Sequence, residues 1–86
     1  MNKNLTTSDI ERWRPDFELV CEKITGMLNA TIDEDLPLDY YDLIEGAKGR
    51  YFLQGHAETL LNRNEITWSQ FIAFKAFMKW GKRCLN

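Results

Sequence analysis

Six carboxylates and two adjacent tyrosines fall in the stretch Asp33 to Glu45, DEDLPLDYYDLIE, and no basic residue interrupts them. Three kinds of chemistry could use such a run. Calcium binding is the first, since Asp33 and Asp35 occupy the first and third places of a possible loop. Pro37 then stands where an oxygen ligand is needed, Leu38 where the sharp turn wants glycine, and Ile44 where a bidentate glutamate closes the site. No metal is expected. General acid–base work is the second, but it requires one carboxyl of a pair to be buried, and these lie in a polar stretch. Recognition is the third. Tyrosine offers rigid amphipathic contact area favoured at interface hot spots, and a ring of carboxylates steers a basic partner toward it. The candidate partner-binding residues are therefore Asp33, Glu34, Asp35, Asp39, Tyr40, Tyr41, Asp42 and Glu45. The plainer alternative is that one tyrosine packs inward and the acids form a solvated loop.

The rest of the chain offers little reactive chemistry. It has one histidine, no Gly-rich phosphate loop, and no nucleophile with a recognisable base nearby. His56 sits within a predicted helix, where a lone histidine is ordinarily a surface or boundary residue. Two cysteines, Cys21 and Cys84, are too few and too far apart for a metal site or a disulfide framework. The chain reads as a non-enzyme without a cofactor. A helix-turn-helix between Phe52 and Trp80 fails because its second helix carries Phe, Ile, Met and Trp where base-reading polar residues belong. Lys75, Lys79, Lys82 and Arg83 could still touch phosphates from the end of that helix. The acidic balance of the whole argues against general nucleic-acid affinity.

Charge is unevenly spread. The formal net charge is −2, yet residues 1–45 carry four basic side chains against eleven acidic, a net of −7, and residues 46–86 carry seven against two, a net of +5. This polarity either persists in space or is consumed by pairing between the halves. The first function expected is a non-catalytic protein-binding module, an inhibitor or accessory factor whose acidic tyrosine-bearing surface occupies a basic, nucleic-acid-binding face of a partner. The alternative is a nucleic-acid-associated regulator using the four basic residues named above. Tyr40-Tyr41 amid acids in a small helical chain resembles the immunity proteins that block nuclease bacteriocins. That likeness spans a few residues around the two tyrosines and has no counterpart for the aromatic C-terminal helix, so no family is assigned. With no run of about 18 apolar residues and no apolar leader in MNKNLTTSD, a cytoplasmic protein without a membrane partner is expected.

These residues must be positioned by helices. Eighty-six residues, 44% hydrophobic and 28% charged, suit one folded domain with a modest core. The spacing predicts an all-α domain over 1–86, with 1–7 loose, of four to five short helices packed around an aromatic-rich C-terminal helix. That helix is ITWSQFIAFKAFMKWG, Ile66 to Gly81. Thr67 and Gln70 form a capping box, Ile66 can staple onto Phe71, and Gly81 supplies the stop. Its aromatics recur every third residue, which drifts around the helix and leaves an apolar surface to be covered on several sides. A second copy or another protein could cover part of it, with Phe77 and Trp80 on the self-association arc. Earlier in the chain, Ser8 with Glu11 opens a short helical turn that Arg14-Pro15 breaks, and a cleanly amphipathic helix runs from Pro15 to about Asn29. A third helix begins near Asp39 and carries Tyr40, Leu43, Ile44 and Ala47 inward. Lys48 to Asn62 is a fourth helix or the far half of a kinked one. The core list is Phe17, Val20, Cys21, Ile24, Leu28, Leu43, Ala47, Leu53, Leu60, Phe71, Phe74 and Met78.

Overall fold

A computed structural model describes residues 7–32 and 37–81. They form helix α1 (Thr7–Ile32), the single turn α2 (Tyr40–Leu43), α3 (Ala47–Asn62) and α4 (Trp68–Ala76), which runs on into a π-helical turn, Phe77–Gly81. No strand occurs among the described residues, and the all-α expectation holds. None of these helices is long and apolar enough to cross a membrane. The most extensive pairing is α1 with α4, and α3 packs against both.

The break expected at Pro15 is absent. α1 is one helix of 26 residues with Pro15 inside it, about 39 Å long at 1.5 Å per residue. Its apolar stripe explains the continuity, because Ile10 before the proline and Phe17, Val20, Cys21 and Ile24 after it are all completely buried in one core. Pro15 and Glu11 both face solvent, so water can meet the Glu11 carbonyl that proline leaves without a donor. Ser8 already lies within the helix. Its box with Glu11 does not form, and Glu11 instead grips Arg14.

The start near Asp39 is as expected. Asp39 caps α2, its carboxylate accepting from the Asp42 amide at 3.1 Å. α2 and α3 are separate helices. Gly46 caps α3, and Arg50 reaches back to donate to the Ile44 carbonyl at 2.9 Å. Gly49 makes the corner possible: a Cβ there would stand 1.8 Å from the Leu43 carbonyl oxygen, deep inside its van der Waals envelope. Ala47, expected inside, is the exposed first residue of α3. α3 ends in a Schellman arrangement, with Asn64 in the left-handed region at φ 61°. The Glu65 amide donates to the Leu60 carbonyl at 2.9 Å and the Asn64 amide to Leu61 at 3.0 Å. The capping box of α4 forms in both directions between Thr67 and Gln70, and Ile66 and Phe71 are buried in the same cluster, as a staple requires.

Phe17 is the hub of the core. Its ring lies 4.5 Å from that of Phe77, 5.8 Å from Phe74, and 5.7 and 5.6 Å from Tyr40 and Tyr41. The expected core is largely present, but Leu28 and Leu43 are only half-buried, whereas Ile10, Ile44, Ala57, Ile66 and Phe77 join it. Gly81 does not end a helix in the left-handed conformation. It is buried within the π turn, where a Cβ would press on the Phe77 ring at 3.1 Å.

Candidate functional site

Tyr40 and Tyr41 are set by a four-residue helix whose entry is fixed by the Asp39 cap, and both rings turn onto α1. Tyr40 is half-buried with its edge toward Phe17, and burial beside Glu18 raises its hydroxyl pKa. It is part of the core. Tyr41 is 36% exposed and is tied down at its tip. Arg14 Nη1 donates to the Tyr41 hydroxyl at 2.6 Å, and that hydroxyl donates to Glu18 Oε2 at 2.6 Å. Arg14 also donates through Nε and Nη2 to the two oxygens of Glu11, at 2.7 and 2.8 Å, a bidentate pairing. Its guanidinium carbon lies 5.7 Å from the Tyr41 ring centre and 5.1 Å from that of Phe77, in cation–π range.

In the hydrogen-bonded chain Glu11–Arg14–Tyr41–Glu18, Glu11, Arg14 and Tyr41 are shifted away from their ordinary pKa values. Arg14's hydrogen bonds hold the Glu11 carboxyl below its ordinary value, and Glu11 in turn raises the Arg14 guanidinium. Burial, with the hydrogen bond to Glu18, pushes the Tyr41 hydroxyl up to about 12. At neutral pH the phenol is locked in its protonated form with its donor and acceptor roles both filled. The ring is held both by its packing on Phe17 and at its hydroxyl.

Glu18 of α1 meets the Tyr41 hydroxyl, and further carboxylates stand on both elements. Asp39, Asp42 and Glu45 are exposed at and beside α2, and Glu22 is exposed one turn beyond Glu18 on α1. Asp33, Glu34 and Asp35 lie outside the described residues. The sequence reading missed Glu11, Arg14, Glu18 and Glu22. Their spacing of i, i+3, i+7 and i+11 puts them on one face of α1, a signal that became readable only once α1 ran unbroken through Pro15. Arg14 also places one positive charge within a surface expected to hold none.

The ion pairs Arg12–Asp9, Arg14–Glu11 and Arg63–Glu65 each join residues of the same half of the chain. None of them spends the acidic half against the basic one. Phe77 is completely buried against Phe17 and Trp80 is half-buried, so the arc expected to serve self-association is taken up largely by the chain itself. Lys75 lies 5.3 Å over the Phe71 ring and Lys79 5.0 Å over Trp80, while Lys82 and Arg83 lie outside the described residues. His56 is half-buried, its Nδ1 2.9 Å from the Phe52 carbonyl of its own helix. Cys21 is a buried free thiol whose pKa burial raises. Among the described residues no three histidine, cysteine or carboxylate side chains are placed to share a metal ion.

No family model, curated protein or solved structure matches the chain. The functional reading rests on this surface alone.

Proposed function

We propose that the chain is a non-catalytic protein-binding module, an inhibitor or accessory factor that lays the α1–α2 surface on a basic, nucleic-acid-binding face of a partner protein. The observation that carries this reading is Tyr41, an exposed ring fixed at its hydroxyl by two 2.6 Å hydrogen bonds, one of them to the Glu18 carboxylate of α1, with the exposed Asp39 and Asp42 on either side of it in the sequence of the α2 turn. Pre-organisation matters because an anchor that is already immobile loses little entropy on binding. The carboxylates at the rim raise the encounter rate with a positive surface and disfavour negative ones. The alternative, a nucleic-acid regulator working through Lys75, Lys79, Lys82 and Arg83, is less well supported, since the two described lysines rest on aromatic rings of their own helix.

The test is affinity capture from the native host with the wild-type chain and with the Asp39→Lys, Asp42→Lys double variant in parallel, followed by binding measurements on the purified partner. The reading requires a basic protein retained by the wild type and lost by the double variant. Equal retention by a double variant that is still folded would refute it. A gel-shift titration across salt addresses the alternative, which alone requires affinity for DNA or RNA that falls steeply as salt rises.

A further inference from the structure

The pairing of α1 with α4 leaves one apolar face uncovered. Trp68 is 63% exposed and Ile72 45% exposed. Beside them an open groove of about 480 Å³ runs between the two helices, walled on the α1 side by Arg12, Trp13 and Asp16 and on the α4 side by Trp68, Ile72 and Ala73. The indole is held in place: Trp68 opens a helix closed by a complete capping box, and its ring lies 5.7 Å from that of buried Phe71. Such a ring is ordinarily among the better-buried side chains of a domain. The rim charges are one helical turn apart and opposite in sign. Arg12 has a 71% exposed side chain that pairs with its helix neighbour Asp9, and the Asp16 side chain forms no ion pair or hydrogen bond among the described residues.

We propose that this face binds a second copy of the chain about a two-fold axis, with the two α1 helices antiparallel. Trp68 of each copy seats in the groove of the other, and Arg12 of each meets Asp16 of the other. A two-fold interface must be self-complementary, and this single patch holds both a protruding ring and a groove, both a cation and an anion. An axis passing α1 level with Arg14 sets position 12 of one helix opposite position 16 of its mate. A foreign partner of uniform charge would leave either Arg12 or Asp16 facing its own sign, so charge complementarity selects the copy. The face does not use Tyr41 or the α2 carboxylates, so each dimer carries two of those surfaces and binds a repetitive basic partner with avidity.

Sedimentation velocity over a concentration series of the full chain tests this, with circular dichroism to show that each variant is folded. The wild type passes from monomer to dimer, and Trp68→Ala weakens that association tenfold or more. Arg12→Glu and Asp16→Arg each abolish it, because each places like charges across the axis. An equimolar mixture of those two variants restores a dimer, since every substituted side chain then meets its opposite. A wild type that stays monomeric throughout, a dimer indifferent to Trp68→Ala, or a mixture that remains monomeric overturns the proposal.

Discussion

Tyr41 shows what a hydroxyl adds to an aromatic ring already held by packing. The ring sits 5.6 Å from Phe17, and phenylalanine would fill that place equally well. The hydroxyl adds two hydrogen bonds to charged groups, Arg14 and Glu18, each of the stronger charge-assisted kind. Because burial and Glu18 raise its pKa from 10.0 to about 12, the folded state keeps its proton where the unfolded state has lost it. The linkage has a definite sign: this contribution is complete below pH 10 and disappears as pH climbs from about 10 to about 12. Denaturant midpoints measured across that window should fall with pH in the wild type and fall less steeply in Tyr41→Phe, with the residual slope belonging to Tyr40 and Cys21, whose pKa values burial also raises. The sequence made both tyrosines visible as candidates but not the residue that fixes one of them. Arg14 lies 27 positions away, and no local spacing announces such a pair.

At the level of elements, most devices that act within about five residues were legible, the Ser8–Glu11 box excepted because α1 begins before it, and those decided by tertiary packing were not. The Thr67–Gln70 box, the helix start near Asp39 and the turn at 62–65 could be read from the sequence because the residues that set them are near neighbours. Pro15 misled because its local cost is real and is overridden from elsewhere. A proline inside a helix costs about 3 kcal/mol relative to alanine, and burial of Ile10 and Phe17 on either side outweighs it. Pro15→Ala should therefore stabilise the protein by about 2 kcal/mol, after allowing for the looser unfolded chain, with chemical denaturation as the measure. The glycines of α3 should part company in the same experiment. Gly55 is exposed with nothing within 4 Å of an added Cβ, so Gly55→Ala should stabilise by about 0.5 to 1 kcal/mol. A Cβ at Gly49 would collide with the Leu43 carbonyl, so Gly49→Ala should destabilise by about 1 to 3 kcal/mol despite the better helix former, because the α2–α3 corner must open. That displacement would also move Tyr41.

The whole molecule carries its function, on the present reading, as a distribution of charge about one anchored ring. α1 and α2 both derive from the acidic half of the sequence, and Phe17 brings them together through an edge-on contact with Tyr40 and a tilted one with Tyr41. The ion pairs Arg12–Asp9, Arg14–Glu11 and Arg63–Glu65 each stay within one half of the sequence, which no count of charges along the chain could have decided. Two mutations should then separate in kinetics once a basic partner is in hand. Asp39 and Asp42 are exposed, and their field acts over distances limited by a screening length of about 8 to 10 Å at physiological salt. Reversing both charges should slow association about tenfold or more at low ionic strength, with the difference from wild type shrinking as salt is added. Tyr41→Ala removes the central contact but little of the field. Its dissociation rate should rise by a factor equivalent to about 2 kcal/mol or more, with association nearly unchanged. Stopped-flow or surface-plasmon measurements at several salt concentrations resolve the two rates. If both variants altered dissociation alone, the carboxylates would be ordinary rim contacts and the steering role assigned to them would fall. If the folded charge-reversal variant bound as the wild type does, the acidic face would be a solvated surface and the binding site would have to lie elsewhere.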